Sequence, residues 1–167
     1  MGIRQLRING DDILRKKAKP VKEITAGTLA LLDDMWDTLY ETNGVGLAAP
    51  QIGVLRRIVV IEVEEDSFEL INPVILAQDG TYDSDEACLS VPGYCGDVVR
   101  PYNITVEAQN RDGESFTIEV DEYLASVFCH EIDHLDGVLY LDKATNVRPY
   151  EPEENEDNVK RSRTNRA

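Results

Sequence analysis

The chain lacks any apolar run long enough to cross a bilayer, which takes about 20 residues, and Met1 to Pro20 is polar and basic, without the apolar centre of a secretory leader. A soluble cytoplasmic protein with no membrane partner is expected. Basic residues are scarce: 17 Lys and Arg stand against 32 Asp and Glu, a formal charge of −15. That balance repels phosphate backbones and anionic lipid, so DNA and broad nucleic-acid binding are excluded. Cysteine is limited to Cys88, Cys95 and Cys129, an odd number without secretory context. A disulfide framework is therefore not expected, and reduced thiols gain weight as metal ligands or catalytic groups. Internal repeats are absent, and 167 residues fit one domain with a sizeable core.

What is present is a patterned sequence. Gly10-Asp11-Asp12 opens a short helix through Lys17, stopped by Pro20. A stronger helix follows from Thr25 or Thr28, with Leu32, Met35/Trp36 and Leu39/Tyr40 on one face and Asn43-Gly44 as its left-handed stop. Val45 to Gly53, with two more Gly and a Pro, reads as irregular chain or a short edge strand. Arg57–Val63 and Ser67–Ile71 form a hairpin, and Val98–Gln109 pairs with Ser115–Val120 across Arg111-Asp112-Gly113. From Asp121 the period turns helical until Gly137. The expected fold is α+β, with antiparallel β-sheets packed around a central helix. The catalytic domain is set at residues 1–147. Residues 148–167, acidic and then basic with almost nothing apolar, are expected to be a disordered tail.

That central helix carries His130-Glu131-Ile132-Asp133-His134, an H-E-x-x-H motif. Residues four apart share a helix face, so both imidazoles can converge on one metal, while Glu131 lies off that line and can act as a base. Chance seldom spaces the only two histidines of a chain in this way, so a metal site is favoured over two satisfied core histidines. A catalytic site normally takes a third protein ligand. The metallopeptidase pattern H-E-x-x-H-x-x-G-x-x-H holds as far as Gly137 but has Tyr140 at its last histidine. Glutamates such as Glu154 lie in the polar tail, so the third ligand is expected upstream of the helix.

Gly44-Val45-Gly46-Leu47-Ala48-Ala49-Pro50-Gln51, then Glu86-Ala87-Cys88-Leu89-Ser90, then the His-Glu-His block resemble, in order and spacing, the peptide deformylase family of bacterial type. The family patterns are G-x-G-x-A-A-x-Q, E-G-C-x-S and H-E-x-x-H, and the resemblance covers about residues 3 to 145. It implies an enzyme that hydrolyses the N-formyl group from the formylmethionine of nascent polypeptides and releases formate. It implies Cys88 as the third ligand beside His130 and His134, holding one divalent ion per chain: Fe(II) natively, with Zn(II), Ni(II) and Co(II) also suited. Glu131 would activate a metal-bound water, and the oxyanion would be held by the metal, Gln51 and the Leu89 N–H. Val45 and Gly46 are implied as the stretch that pairs with the substrate backbone, Ala87 as a further substrate contact, and Val45, Tyr123, Ser126 and Val127 as lining for its methionine side chain.

Two departures stand out. Ala87 replaces the family glycine before the cysteine, which costs about 1 kcal/mol if that position needs positive φ and little otherwise. Cys95 stands where related sequences often carry arginine, and is expected to be a partly exposed spare thiol. Cys129 is expected to pack in the core. Glu86, Asp133 and Ser90 are candidates to orient the ligands or Gln51. Lys160, Arg161, Arg163 and Arg166 are expected to be solvated, with a transient ribosome contact as the alternative. Two competing readings are a metal amidase acting on another acyl group and an inactive relative kept as a binding module.

Overall fold

The structure is a computed structural model that describes residues 2–150. Among the described residues there are eight strands: β1 (Gly46–Ala48), β2 (Ile58–Val63), β3 (Asp66–Asp79), β4 (Tyr82–Cys88), β5 (Val91–Arg100), β6 (Asn103–Gln109), β7 (Ser115–Asp121) and β8 (Thr145–Pro149). The two α-helices are α1 (Ala26–Thr42) and α2 (Glu122–Leu135). All strand pairings are antiparallel, in a five-stranded sheet of order β1-β2-β3-β6-β7 and a three-stranded sheet of order β4-β5-β8. The α+β architecture around the motif-bearing helix is as the sequence indicates.

β2 explains why the large sheet has a helix on each face. Its run Ile58-Val59-Val60-Ile61 is fully buried, and alternate side chains point to opposite faces. Val59 and Ile61 join Leu70, Ile104 and Val106 against Phe128, Ile132 and Leu135 of α2. Ile58 and Val60 join Ile71 against Leu32, Met35 and Leu39 of α1. Each such buried aliphatic side chain contributes roughly 1.5–3 kcal/mol. α1 begins with reciprocal bonds between Thr25 and Thr28, which settles Thr25 as its cap, and ends at Asn43 with φ 56°. α2 packs against both sheets, so one stripe of the helix meets the apolar face of the first and another is left to face the second.

Several boundaries differ from those read in the sequence. The first short helix is a single 3-10 turn, Asp12–Arg15, and β3 runs on to Asp79 past a register shift at Asn72-Pro73. The stretch expected as one strand from Val98 breaks at Pro101-Tyr102, where proline can donate no ladder bond, so β5 and β6 fall in different sheets. Most of the second sheet was not read at all. β4 alternates as a strand should, but its inward residues are Ser84, Glu86 and Cys88, so a hydrophobic pattern does not reveal it. β8 carries the fold past the expected boundary at 147: its Pro149 pairs with Tyr94, and the Tyr150 N–H donates to the Gly93 carbonyl. Glu154 and the four basic tail residues lie outside the described residues.

Candidate metal centre

His130 and His134 stand on successive turns of α2, their ring centroids 5.2 Å apart. Cys88, the last residue of β4, brings its Sγ to 3.4 Å from His134 Nε2. The ligand atoms of these three buried residues all lie within 4.8 Å of one another. A cysteine sulfur and two imidazoles converging at that spacing suit a soft or borderline divalent ion.

The surroundings fix the orientation of each donor. His130 Nδ1 lies 2.8 Å from Glu86 Oε1, so a proton on Nδ1 leaves Nε2 free toward Cys88 and His134. Arg100, 3% exposed, grips both Glu86 oxygens at 2.8 Å and reaches Asp133 at 2.7 Å. Burial works to raise the Glu86 carboxyl, but bonds from Arg100 and His130 outweigh it and hold the group at about 2. Glu86 is therefore a permanent anion behind the first histidine. Burial also holds His134 well below the ordinary imidazole value, which keeps it neutral and able to ligate. His130 is raised well above its ordinary value: burial opposes this, and the neighbouring Cys88 and Glu86 prevail. Without an ion, the cluster thus retains a proton that metal binding would expel.

Two more side chains aim at the same point. Gln51, 1% exposed in the 3-10 turn Ala49–Ile52, accepts the Ala48 N–H at its Oε1 (2.9 Å). That bond sets the amide's flip, so Nε2 faces the centre, 3.1 Å from Ser90 Oγ and 3.6 Å from Cys88 Sγ. Glu131, 4% exposed, has Oε1 3.9 Å from His130 Nε2, and its Oε2 has no partner among the described residues. Burial pushes its carboxyl up to about 7, with His130 pulling the other way. A cation beside it would draw that value down.

Gly46 makes room for Glu131. A Cβ there would sit 2.7 Å from Glu131 Cγ and 2.9 Å from Oε1. Close approach was expected of this glycine toward a substrate; toward Glu131 it is a property of the protein itself. Gly44 likewise accommodates Leu89, whose Cδ1 would lie 2.7 Å from an added Cβ. Leu89 and Ser90 form the turn between β4 and β5. Tyr123 and Val127 share the stripe of α2 that bears His130 and His134, Tyr123 being 45% exposed and Val127 buried, while Ser126 is turned in and bonded to the Tyr123 carbonyl.

Ala87 lies at a register shift between Glu86 and Cys88 and is not among the non-glycine residues of positive φ, so its Cβ brings no left-handed strain. The expectation for Cys95 is corrected: it is 5% exposed, within β5 where that strand pairs with β8. Cys129 is buried, and burial pushes its thiol up to about 11, which makes it inert. Arg100 escaped the sequence reading. An isolated arginine ending a strand carries no motif, and its signal is electrostatic: a buried Glu86 beside His130 needs a buried cation.

The family described as polypeptide deformylase matches residues 3–150. The chain belongs to the peptide deformylase family. It is 50% identical over 166 residues to the peptide deformylase of Acetivibrio thermocellus, covering 99% of this chain and 94% of that one. It is 55% identical over 144 residues to that of Desulfitobacterium hafniense, covering 86% and 96%. The crystal structure of the Thermotoga maritima peptide deformylase superposes with a TM-score of 0.85 at 40% identity, covering 87% of this chain and 99% of that one. That from Legionella pneumophila gives 0.84 at 37%, covering 98% and 93%. As a peptide deformylase, the protein is a hydrolase that removes the N-formyl group from nascent peptides, in a family of metalloenzymes. No helix among the described residues is long and apolar enough to cross a membrane.

Proposed function

We propose that Cys88, His130 and His134 hold one divalent ion and that Glu131, Gln51 and the Leu89 N–H carry out deformylation around it. The observation that carries this reading is the convergence of three buried ligand atoms, with the Glu131 carboxylate 3.9 Å from His130 Nε2 and the flip-locked Gln51 amide 3.6 Å from Cys88 Sγ. When bound, the ion supplies Lewis acidity, polarising the formyl carbonyl and making nearby water more acidic.

The Glu131 carboxylate takes a proton from the water that attacks the formyl carbon. As negative charge grows on the formyl oxygen, Gln51 Nε2, buried and already oriented, and the Leu89 N–H donate to it. The C–N bond then breaks, Glu131 returns the proton to the leaving amine, and formate and a free N-terminus depart. Gly46 lets Glu131 stand close to the β1 backbone during both transfers.

β1 and β4 are both edge strands, and α2 packs on each. An extended peptide can therefore add backbone bonds at Val45-Gly46 and at Ala87, with its methionine side chain against Tyr123, Ser126 and Val127. Backbone pairing accounts for acceptance of many nascent sequences. Fe(II) is the native ion that the family resemblance implies, and a cysteine with two histidines also suits Zn(II), Ni(II) or Co(II). The catalytic domain is one unit, now bounded by β8, and its working place is the cytoplasm, where reduced thiols persist. A ribosome contact by the tail would show as salt-sensitive co-sedimentation lost on removing residues 151–167.

Glu131→Gln tests the assignment. Metal content should stay at the wild-type level while formate release from formyl-Met-Ala-Ser falls by about 100-fold or more. Wild-type turnover in that variant would refute the role of Glu131.

A further inference from the structure

The third-histidine position of the zinc-peptidase pattern is held by Tyr140, and the deformylation chemistry gives that residue no task. Its surroundings point to one. Tyr140 is 1% exposed, among the largest fully buried side chains, and belongs to the apolar cluster that includes Cys88. Its ring lies over the His130 imidazole, with centroids 5.9 Å apart and planes 21° from parallel. Its hydroxyl has no partner among the described residues.

The turn that delivers this ring is held rigidly. Gly137, at φ 75°, bends the chain back where a Cβ would collide with the Arg15 carbonyl. Arg15 then binds both Asp142 and the Gly137 carbonyl, and Asp142 accepts the Leu139 N–H at 3.1 Å. The 3-10 turn Tyr140–Asp142 consequently sets the ring in one place.

We infer that Tyr140 is a positioning residue for the metal centre, whose ring face fixes the plane of the His130 imidazole. The inference rests on the proposed Cys88, His130 and His134 ligand set. Glu86 fixes the direction of one ring edge through Nδ1, but a single bond leaves the imidazole free to rock about the Nδ1 to carboxylate line. The second torsion of histidine has only broad, shallow preferences of its own. His134 meets the ring edge-to-face at 67°, and Tyr140 closes the remaining direction. Coordination draws electron density from the imidazole, so a π face beside it favours the liganded ring over the free one. The ring does this and the hydroxyl does not.

The test is metal retention, measured as the rate of Co(II) loss to a chelator and by the visible spectrum of the Co(II) protein. Tyr140→Leu should lose metal about 3- to 10-fold faster, the range set by one ring contact, and should show an altered Co(II) spectrum. Tyr140→Phe should restore both to wild type. Leu139→Ala, a truncation in the same apolar cluster, should lower the melting temperature of the metal-free protein without changing the Co(II) spectrum.

Equal retention by Tyr140→Leu and wild type would overturn the inference. So would spectral changes in Leu139→Ala that match those of Tyr140→Leu, or failure of Tyr140→Phe to rescue. If wild-type protein takes up no Co(II), or if Cys88→Ser and His134→Ala hold it as tightly as wild type, the ligand assignment itself fails.

Discussion

Gly46→Ala tests whether the space beside Glu131 matters to the chemistry. Gly46 is not at positive φ, and its strand pairing with Ile61 is through the backbone, so alanine can adopt the native conformation. The effect is therefore steric and local. The added Cβ would stand 2.7 Å from Glu131 Cγ and 3.0 Å from Cδ, where carbons settle at about 3.5–4 Å. The carboxylate must retreat by about 1 Å, and at 4% exposure it has no open solvent to swing into. A misplacement of that size costs about 100-fold in rate, or about 2.7 kcal/mol of transition-state stabilisation. Overpacking would lower global stability by about 1–3 kcal/mol. The assay is kcat for formate release at saturating formyl-Met-Ala-Ser, with bound metal quantified on the same sample. A rise in KM alone would reflect only the substrate-strand contact. A kcat within about threefold of wild type, at full metal content, would refute the reasoning that Glu131 works from its present position.

Gln51→Ala removes one donor to the developing oxyanion and should lower kcat by about 100- to 1000-fold with metal retained; a change confined to KM would remove Gln51 from that role. Arg100→Met leaves Glu86 buried without its cation, and urea unfolding of the metal-free protein should show a loss of about 3–5 kcal/mol; a loss under about 1 kcal/mol would mean Glu86 is held by other means. Acid should reveal the same pair. Glu86 falls from an ordinary 4.5 to about 2 on folding, so it binds its proton more weakly in the native state. Its stabilisation, on the order of 3 kcal/mol, is present above about pH 4.5 and is lost as pH falls toward 2. The stability gap between metal-free wild type and Glu86→Gln should shrink across that window, and a gap independent of pH would contradict the assigned depression.

The parts of the fold legible in the sequence were those written in apolar periodicity. The α1 stripe, the unbroken run of β2 and the helical period after Asp121 each bury apolar side chains against a neighbour. The second sheet was opaque because β4 turns Ser84, Glu86 and Cys88 inward rather than an apolar row, while β8 is almost wholly exposed. Cys95 lies in that second sheet and is buried there. At the centre, the nearness of His130 and His134 was legible because residues four apart share a helix face. Cys88 and Gln51 became visible only through the family patterns, since nothing in their spacing brings a strand end and a 3-10 turn to the helix. Arg100 left no trace, because its partners come from β4 and α2 and meet only after folding. Gly46 was singled out for closeness to substrate, whereas its nearest constraint is Glu131.

The most direct measurement is formate release from formyl-Met-Ala-Ser by anaerobically purified protein, before and after chelation, with iron and zinc quantified and acetyl-Met-Ala-Ser run in parallel. Anaerobic handling guards the Cys88 sulfur against oxidation. The expected result is about one ion per chain, formate released from the formyl peptide, no acetate from its acetylated counterpart, loss of activity on chelation and recovery with Fe(II). Undiminished formate release from protein stripped of metal, or none from protein carrying a full complement, would contradict a Cys88-His130-His134 centre as the seat of the reaction.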